Sequence, residues 1–123
     1  MPIEVDTSEA PALLRYRYTG PFASLDEQAA TRERLMADGH LTSLTVALMD
    51  VRALETVPDD DLLARTVAAA LEKGGWPRRR AYLIDSAKHG HMIEQFQQFA
   101  MTTVRTAAFT DEREALAWLR RDG

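Results

Sequence analysis

Two acids stand at the ends of short apolar runs. Asp50 closes Leu44-Thr45-Val46-Ala47-Leu48-Met49, and Asp85 closes Ala81-Tyr82-Leu83-Ile84. Ser86, Lys88, His89 and His91 follow the second acid directly. Acid, hydroxyl and imidazole gathered at one end of a sheet support acid–base work or ligand binding. The plainer reading is that Asp85 or Ser86 caps the next turn and that His89 and His91 are solvated. That reading is the stronger one, because exposed acids at strand ends are common. His89-Gly90-His91 is also a candidate metal pair. Its i, i+2 spacing does not put both rings on one helix face, no third ligand is evident, and zinc normally needs at least three protein ligands. No metal and no cofactor is expected.

Other chemistries lack their parts. A receiver-type phospho-acceptor at Asp50 needs an acidic pair after the first strand and a late lysine. Asp6 stands alone there, and the last strand ends Phe109-Thr110. No Gly-rich phosphate loop and no Gly-x-Ser-x-Gly elbow occurs. Arg78-Arg79-Arg80, with Lys73 and Trp76, is the one basic patch with an aromatic, and it reads better as a solvated loop than as an anion contact. The absence of cysteine removes disulfides, thiolate catalysis and cysteine-bound metals. The expectation is a protein that is not an enzyme.

The elements that position these residues are legible from patterning. Ile3 to Asp6 alternates as a half-exposed strand, and Thr7-Ser8-Glu9-Ala10-Pro11 has turn chemistry. Leu14, Tyr16 and Tyr18 then share one face while Arg15 and Arg17 point the other way, which gives an antiparallel hairpin with one wet face, closed by Gly20-Pro21. Ser24-Leu25-Asp26-Glu27 matches a capping box and predicts a helix to about Ala37, stopped at Gly39, with a thin apolar stripe of Leu25, Ala29 and Met36. The run Leu44–Asp50 predicts a strand buried on both faces and ending at Asp50. Pro58-Asp59-Asp60-Asp61 opens a helix that Lys73 and Gly74-Gly75 close. Arg80 to Asp85 repeats the central strand. His91 to about Thr103 has the cleanest helical face, built on Met92, Ile93, Phe96, Phe99 and Ala100. Val104 to Phe109 predicts the last strand, and Thr110-Asp111-Glu112 starts a helix burying Ala115, Leu116 and Leu119. The order ββαβαβαβα implies an α/β fold: one domain, a mixed and mostly parallel sheet of about five strands, an N-terminal β-hairpin and four helices.

At 123 residues the chain suits a single domain able to bury a real core without staples. Its net charge of −4 argues against nucleic acid or an anionic membrane as the main partner. Met1-Pro2-Ile3-Glu4-Val5 lacks a basic region and an apolar signal core, and no stretch approaches the roughly 20 residues of a membrane span, so a cytoplasmic location is expected. Phe22, Trp76 and Trp118 are the aromatics expected at the surface, where a cluster would mark a partner site.

The strand Val46–Asp50, the strand Arg80–Asp85, the helix segment Gln95-Phe96-Gln97-Gln98-Phe99-Ala100 and the ending from Phe109 to Leu119 together resemble the SpoIIAA-like, or STAS, domain family, whose description overlaps with Sec14-like lipid-binding folds. The resemblance implies a regulatory or protein-interaction domain like the anti-sigma-factor antagonists, self-associating as a homodimer. In those proteins a serine or threonine opens the helix after the central strand and is phosphorylated. The corresponding place here falls near Pro58 and Asp59, where only Thr56 offers a hydroxyl, so the usual phosphorylatable residue is missing. Asp59 either imitates a permanent negative charge or complements the helix dipole, and the second is favoured. The Sec14-like side of the resemblance implies an alternative, a small apolar ligand or lipid held by the Met92–Phe99 helix. The candidate ligand- or partner-binding residues are Asp50, Thr56, Asp59, Asp85, Ser86, His89 and His91. A third reading is a hydrolase-like enzyme using Asp85, Ser86 and His89 or His91.

Overall fold

The run Val46-Ala47-Leu48-Met49 is buried throughout because it lies in the middle of a sheet with a strand on each side and side chains packed on both faces. The computed structural model describes residues 3–21, 24–54, 65, 79–85 and 105–121. These form β1 (Ile3–Asp6), β2 (Leu13–Gly20), α1 (Leu25–Ala37), β3 (Val46–Leu54), β4 (Arg79–Leu83), β5 (Arg105–Phe109) and α2 (Glu112–Leu119). The five strands make one sheet in the order β1-β2-β3-β4-β5. β1 and β2 are antiparallel, and every later neighbour pair is parallel. The mixed, mostly parallel α/β sheet with an N-terminal hairpin is therefore what forms. Two of the four expected helices are α1 and α2. The other two, from Pro58 to Lys73 and from His91 to about Thr103, lie, Arg65 apart, outside the described residues.

Alternation along the strands divides the core into two layers. On one face Leu14, Tyr16, Ala47, Met49 and Tyr82 pack with Ile3, Leu41 and Leu35 of α1. On the other, Leu13, Val46, Leu48, Ala81 and Leu83 pack with Ala115 and Leu119 of α2. α2 lies over β3, β4 and β5. The same face of β1 and β2 carries charged residues instead, as the hairpin's alternation predicts.

Both helix starts follow from their caps. The Glu27 amide donates to Ser24 Oγ at 3.2 Å, and the Ser24 amide donates to Glu27 Oε1 at 3.5 Å, so the capping box is closed. Past Ala37, Gly39 takes a left-handed φ of 76°, which stops the helix where a Cβ would be strained. For α2, Asp111 Oδ1 accepts from the Arg113 amide at 2.8 Å.

Four details differ from the patterning. Leu44 is 74% exposed, because the chain first makes a tight turn. The Thr42 amide donates to Thr45 Oγ1 at 2.8 Å and the Leu44 amide to Thr42 Oγ1 at 3.2 Å, so the strand begins at Val46. At its other end the strand does not stop at Asp50 but runs on to Leu54. In α1 Leu35 is buried and Met36 is 41% exposed, since one residue turns the helix about 100° away from the sheet. Arg79 belongs to no solvated loop. It sits in β4, 2% exposed, with Nη1 donating to the Trp118 carbonyl at 2.8 Å and its guanidinium 5.5 Å from the Trp118 ring centre. The last carbonyls of a helix have no intrahelical donor and attract a cation, and the indole face adds to that attraction.

Candidate functional site

The candidate site starts from a misfit between two strands. Arg17 of β2 pairs with Asp50 of β3, but Thr19 pairs with Ala53. Two steps on β2 match three on β3, so β3 carries one extra residue just after Asp50. Asp50 itself holds that irregularity. Its Oδ1 accepts from the Arg52 amide at 3.1 Å, taking a donor that a regular ladder would use. The same carboxylate grips the Arg52 side chain, with Nε on Oδ1 at 3.0 Å and Nη2 on Oδ2 at 2.8 Å. This is the two-pronged geometry that makes an arginine–carboxylate pair strong.

Around that pair the charges alternate. Glu4, Arg17 and Asp50 lie directly opposite one another across β1, β2 and β3. One row along, Asp6 lies opposite Arg15. Arg15 Nε is 3.1 Å from Glu9 Oε2, and its Nη1 is 3.9 Å from Glu112 Oε1 at the start of α2. Opposite charges directly across a strand pair attract, each contributing roughly 0.2–1 kcal/mol. Arg17, Asp50, Arg52 and Ala53 line an open recess of about 460 Å³. A second of about 300 Å³ includes Glu4, Asp6, Arg15 and Arg17.

The electrostatics fix protonation states. Burial raises the Asp50 carboxyl pKa, but the Arg52 hydrogen bonds and the Arg52 and Arg17 charges outweigh burial and hold it below the usual carboxylate value. The hydrogen bond and charge of Asp50 likewise raise the pKa of Arg52. The Ser8 amide, 2.9 Å from Asp6 Oδ1, lowers the pKa of Asp6. A carboxylate held ionised by an arginine is a weak base near neutral pH.

Of the residues singled out from sequence, Asp50 and Asp85 are described. β3 and β4 are adjacent and parallel, as expected, and Asp50 pairs with Leu83, so half-buried Asp85 lies two residues beyond that level. Asp50 turns to Arg52 on its own strand. Thr56, Asp59, Ser86, His89 and His91 lie outside the described residues, as do Phe22 and Trp76. Among the described residues no three His, Cys, Asp or Glu side chains are grouped to hold a metal ion. Sequence reasoning missed Arg52 and Glu4. The Asp-x-Arg spacing was the available signal, but a strand ended at Asp50 left Arg52 in a loop.

At the opposite end of the sheet an apolar groove of about 660 Å³ is lined by Leu13, Leu44, Val46, Leu116 and Leu119, with Glu9, Arg120 and Arg121 also on its wall.

No family model and no curated protein sequence matches this chain. Among solved structures it is similar to an uncharacterized protein of the DUF3478 family with a SpoIIAA-like fold, from Shewanella loihica PV-4. The two are 21% identical, with 95% of this chain and 91% of that one covered and a TM-score of 0.65. The SpoIIAA-like fold read from the strands and the C-terminal helix is thus shown. Among the described residues no helix is long and apolar enough to cross a membrane.

Proposed function

We propose that this chain is a non-enzymatic, regulatory interaction domain that meets a protein partner through the charged surface of β1, β2 and β3. The observation that carries the reading is the Asp50–Arg52 grip beside Arg17. It converts the most promising acid into one half of a fixed ion pair. Sheet surface that α2 leaves uncovered carries an alternating row of charge in place of apolar side chains. Such a row favours partners of complementary pattern and repels others, which is specificity more than affinity. The lack of a hydroxyl at Pro58 and Asp59 agrees with a partner surface that needs no phosphorylation.

The test is photo-crosslinking in the native host from a benzoylphenylalanine placed at exposed Ala53. A discrete adduct is expected, lost on Arg17→Glu and kept with Glu114→Lys on the outer side of α2. An absent adduct, or one indifferent to Arg17→Glu, contradicts the reading. So does esterase or phosphatase turnover that disappears with Asp50→Asn.

A second reading, a small apolar ligand, is favoured by the groove at Leu44. Native mass spectrometry of freshly purified protein checks it: a retained lipid supports it and a clean mass does not.

A further inference from the structure

The apolar groove of about 660 Å³ opens at the start of β2 and β3, beside the C-terminal end of α2. Leu13 and Val46 of the sheet and Leu116 and Leu119 of the helix line it. Leu44, 74% exposed in the turn before β3, lines it from the side. An apolar side chain so exposed at the mouth of an apolar recess gains from being covered. Arg120 and Arg121, both exposed, line the groove where α2 ends.

Cationic side chains at a helix C-terminus ordinarily meet the last carbonyls. In α2 other donors do so. The Arg120 amide donates to the Leu116 carbonyl at 3.1 Å and the Arg121 amide to the Trp118 carbonyl at 3.3 Å, which the Arg79 side chain also serves. Among the described residues no carboxylate lies within ion-pair distance of the Arg120 or Arg121 guanidinium. Glu9, which also lines the groove, is engaged by Arg15 at 3.1 Å. The groove therefore joins an apolar floor to unmatched positive charge at one end.

We infer that the groove takes a long-chain fatty acid, its methylenes over the leucines and its carboxylate on Arg120 and Arg121. The volume falls in the range of roughly 300–1,000 Å³ usual for small-ligand pockets. An acyl chain has no polar group to satisfy along its length. A peptide has one amide per residue, and Leu13 and Val46 are paired with each other in the ladder, so they offer no free strand edge to meet those amides. A planar guanidinium receives a carboxylate through two parallel hydrogen bonds, whereas a cationic head group meets two like charges. The head-group contact rests on the apolar-ligand reading of the groove. It lies at the other end of β2 and β3 from Arg17 and Asp50, so it is independent of the proposed interaction surface.

Isothermal titration of the intact chain at low salt tests both ends of the ligand, with dodecanoate, octanoate and dodecyltrimethylammonium each kept below its micelle concentration. Saturable dodecanoate binding is expected, about tenfold or more tighter than octanoate, since each buried methylene is worth up to about fourfold. Dodecyltrimethylammonium, with the same chain and the opposite charge, should bind about tenfold more weakly than dodecanoate, the scale of one charged hydrogen bond. Replacing both arginines, Arg120→Glu with Arg121→Glu, should reverse that preference, and because both positions are exposed the exchange leaves the fold in place. Leu44→Gln, also at an exposed position, should weaken both amphiphiles severalfold. No saturable binding of either amphiphile overturns the proposal together with the apolar-ligand reading. Equal binding of the two, or a preference for dodecanoate that survives the arginine exchange, overturns the carboxylate contact and leaves the apolar-ligand reading standing. Dodecanoate affinity unchanged by Leu44→Gln puts the fatty acid outside this groove and also overturns the proposal.

Discussion

Asp50 and Arg52 are two positions apart on one strand, which puts both side chains on the same face and within reach of each other. Asp50 stood out in the sequence as a candidate because an acid ending an apolar run is conspicuous. Its partner did not, because the bulge that keeps the strand going after Asp50 is built by the Asp50 side chain itself and leaves no mark in periodicity. Replacing Asp50 by Asn should destabilise the protein by about 1 kcal/mol at pH 7, a modest figure because the pair is partly solvated. The pH dependence has a definite sign. The folded-state pKa lies below the reference value of 3.8, so the contribution is fully present above that value and is lost as pH falls through the folded-state pKa. Denaturation curves of wild type and Asp50→Asn should therefore differ by a constant amount above about pH 5 and converge in stronger acid. A gap that widens on acidification would mean the carboxyl is not held by Arg52.

At the scale of elements, helix starts were the most legible features and strand ends the least. A capping box is a local contract between Ser24 and Glu27, and reading it needs no knowledge of the rest of the fold. Ser24→Ala should cost about 0.5–2 kcal/mol, read from urea midpoints, with no change in the slope of the transition. Arg79 shows the opposite case. Three successive arginines look solvated, and only the arrival of α2, its Trp118 carbonyl and its Trp118 ring selects the middle one for burial. Arg79→Ala should cost about 2 kcal/mol or more, since it removes a charged hydrogen bond and leaves a gap beside the indole. Near-ultraviolet circular dichroism of Trp118 should change in parallel. An unchanged melting temperature would show that the cap carries no weight.

For the whole molecule, the mixed, mostly parallel sheet and the pairing of β3 with β4 were legible from two apolar runs, a hairpin and the helices expected between them. That is why the SpoIIAA-like fold was readable although the similar solved structure from Shewanella loihica is only 21% identical to this chain. The two-sided core was equally legible. Leu83, 0% exposed between β4 and α2, should lose about 2–5 kcal/mol on Leu83→Ala by chemical denaturation. The exposed α2-face surface was legible only as a wet hairpin face. Its charge pairing depends on register, which places Glu4, Arg17 and Asp50 in one line and which the sequence does not display. The functional account rests on that line of charge serving recognition and not proton transfer. The most direct check is a carbon-13 NMR titration of the Asp50 side-chain carboxyl in the folded protein. The account predicts a midpoint below 3.8 that moves upward in Arg52→Ala. A midpoint well above the reference value, unmoved by Arg52→Ala, would return Asp50 to the role of a general acid or base and contradict the account.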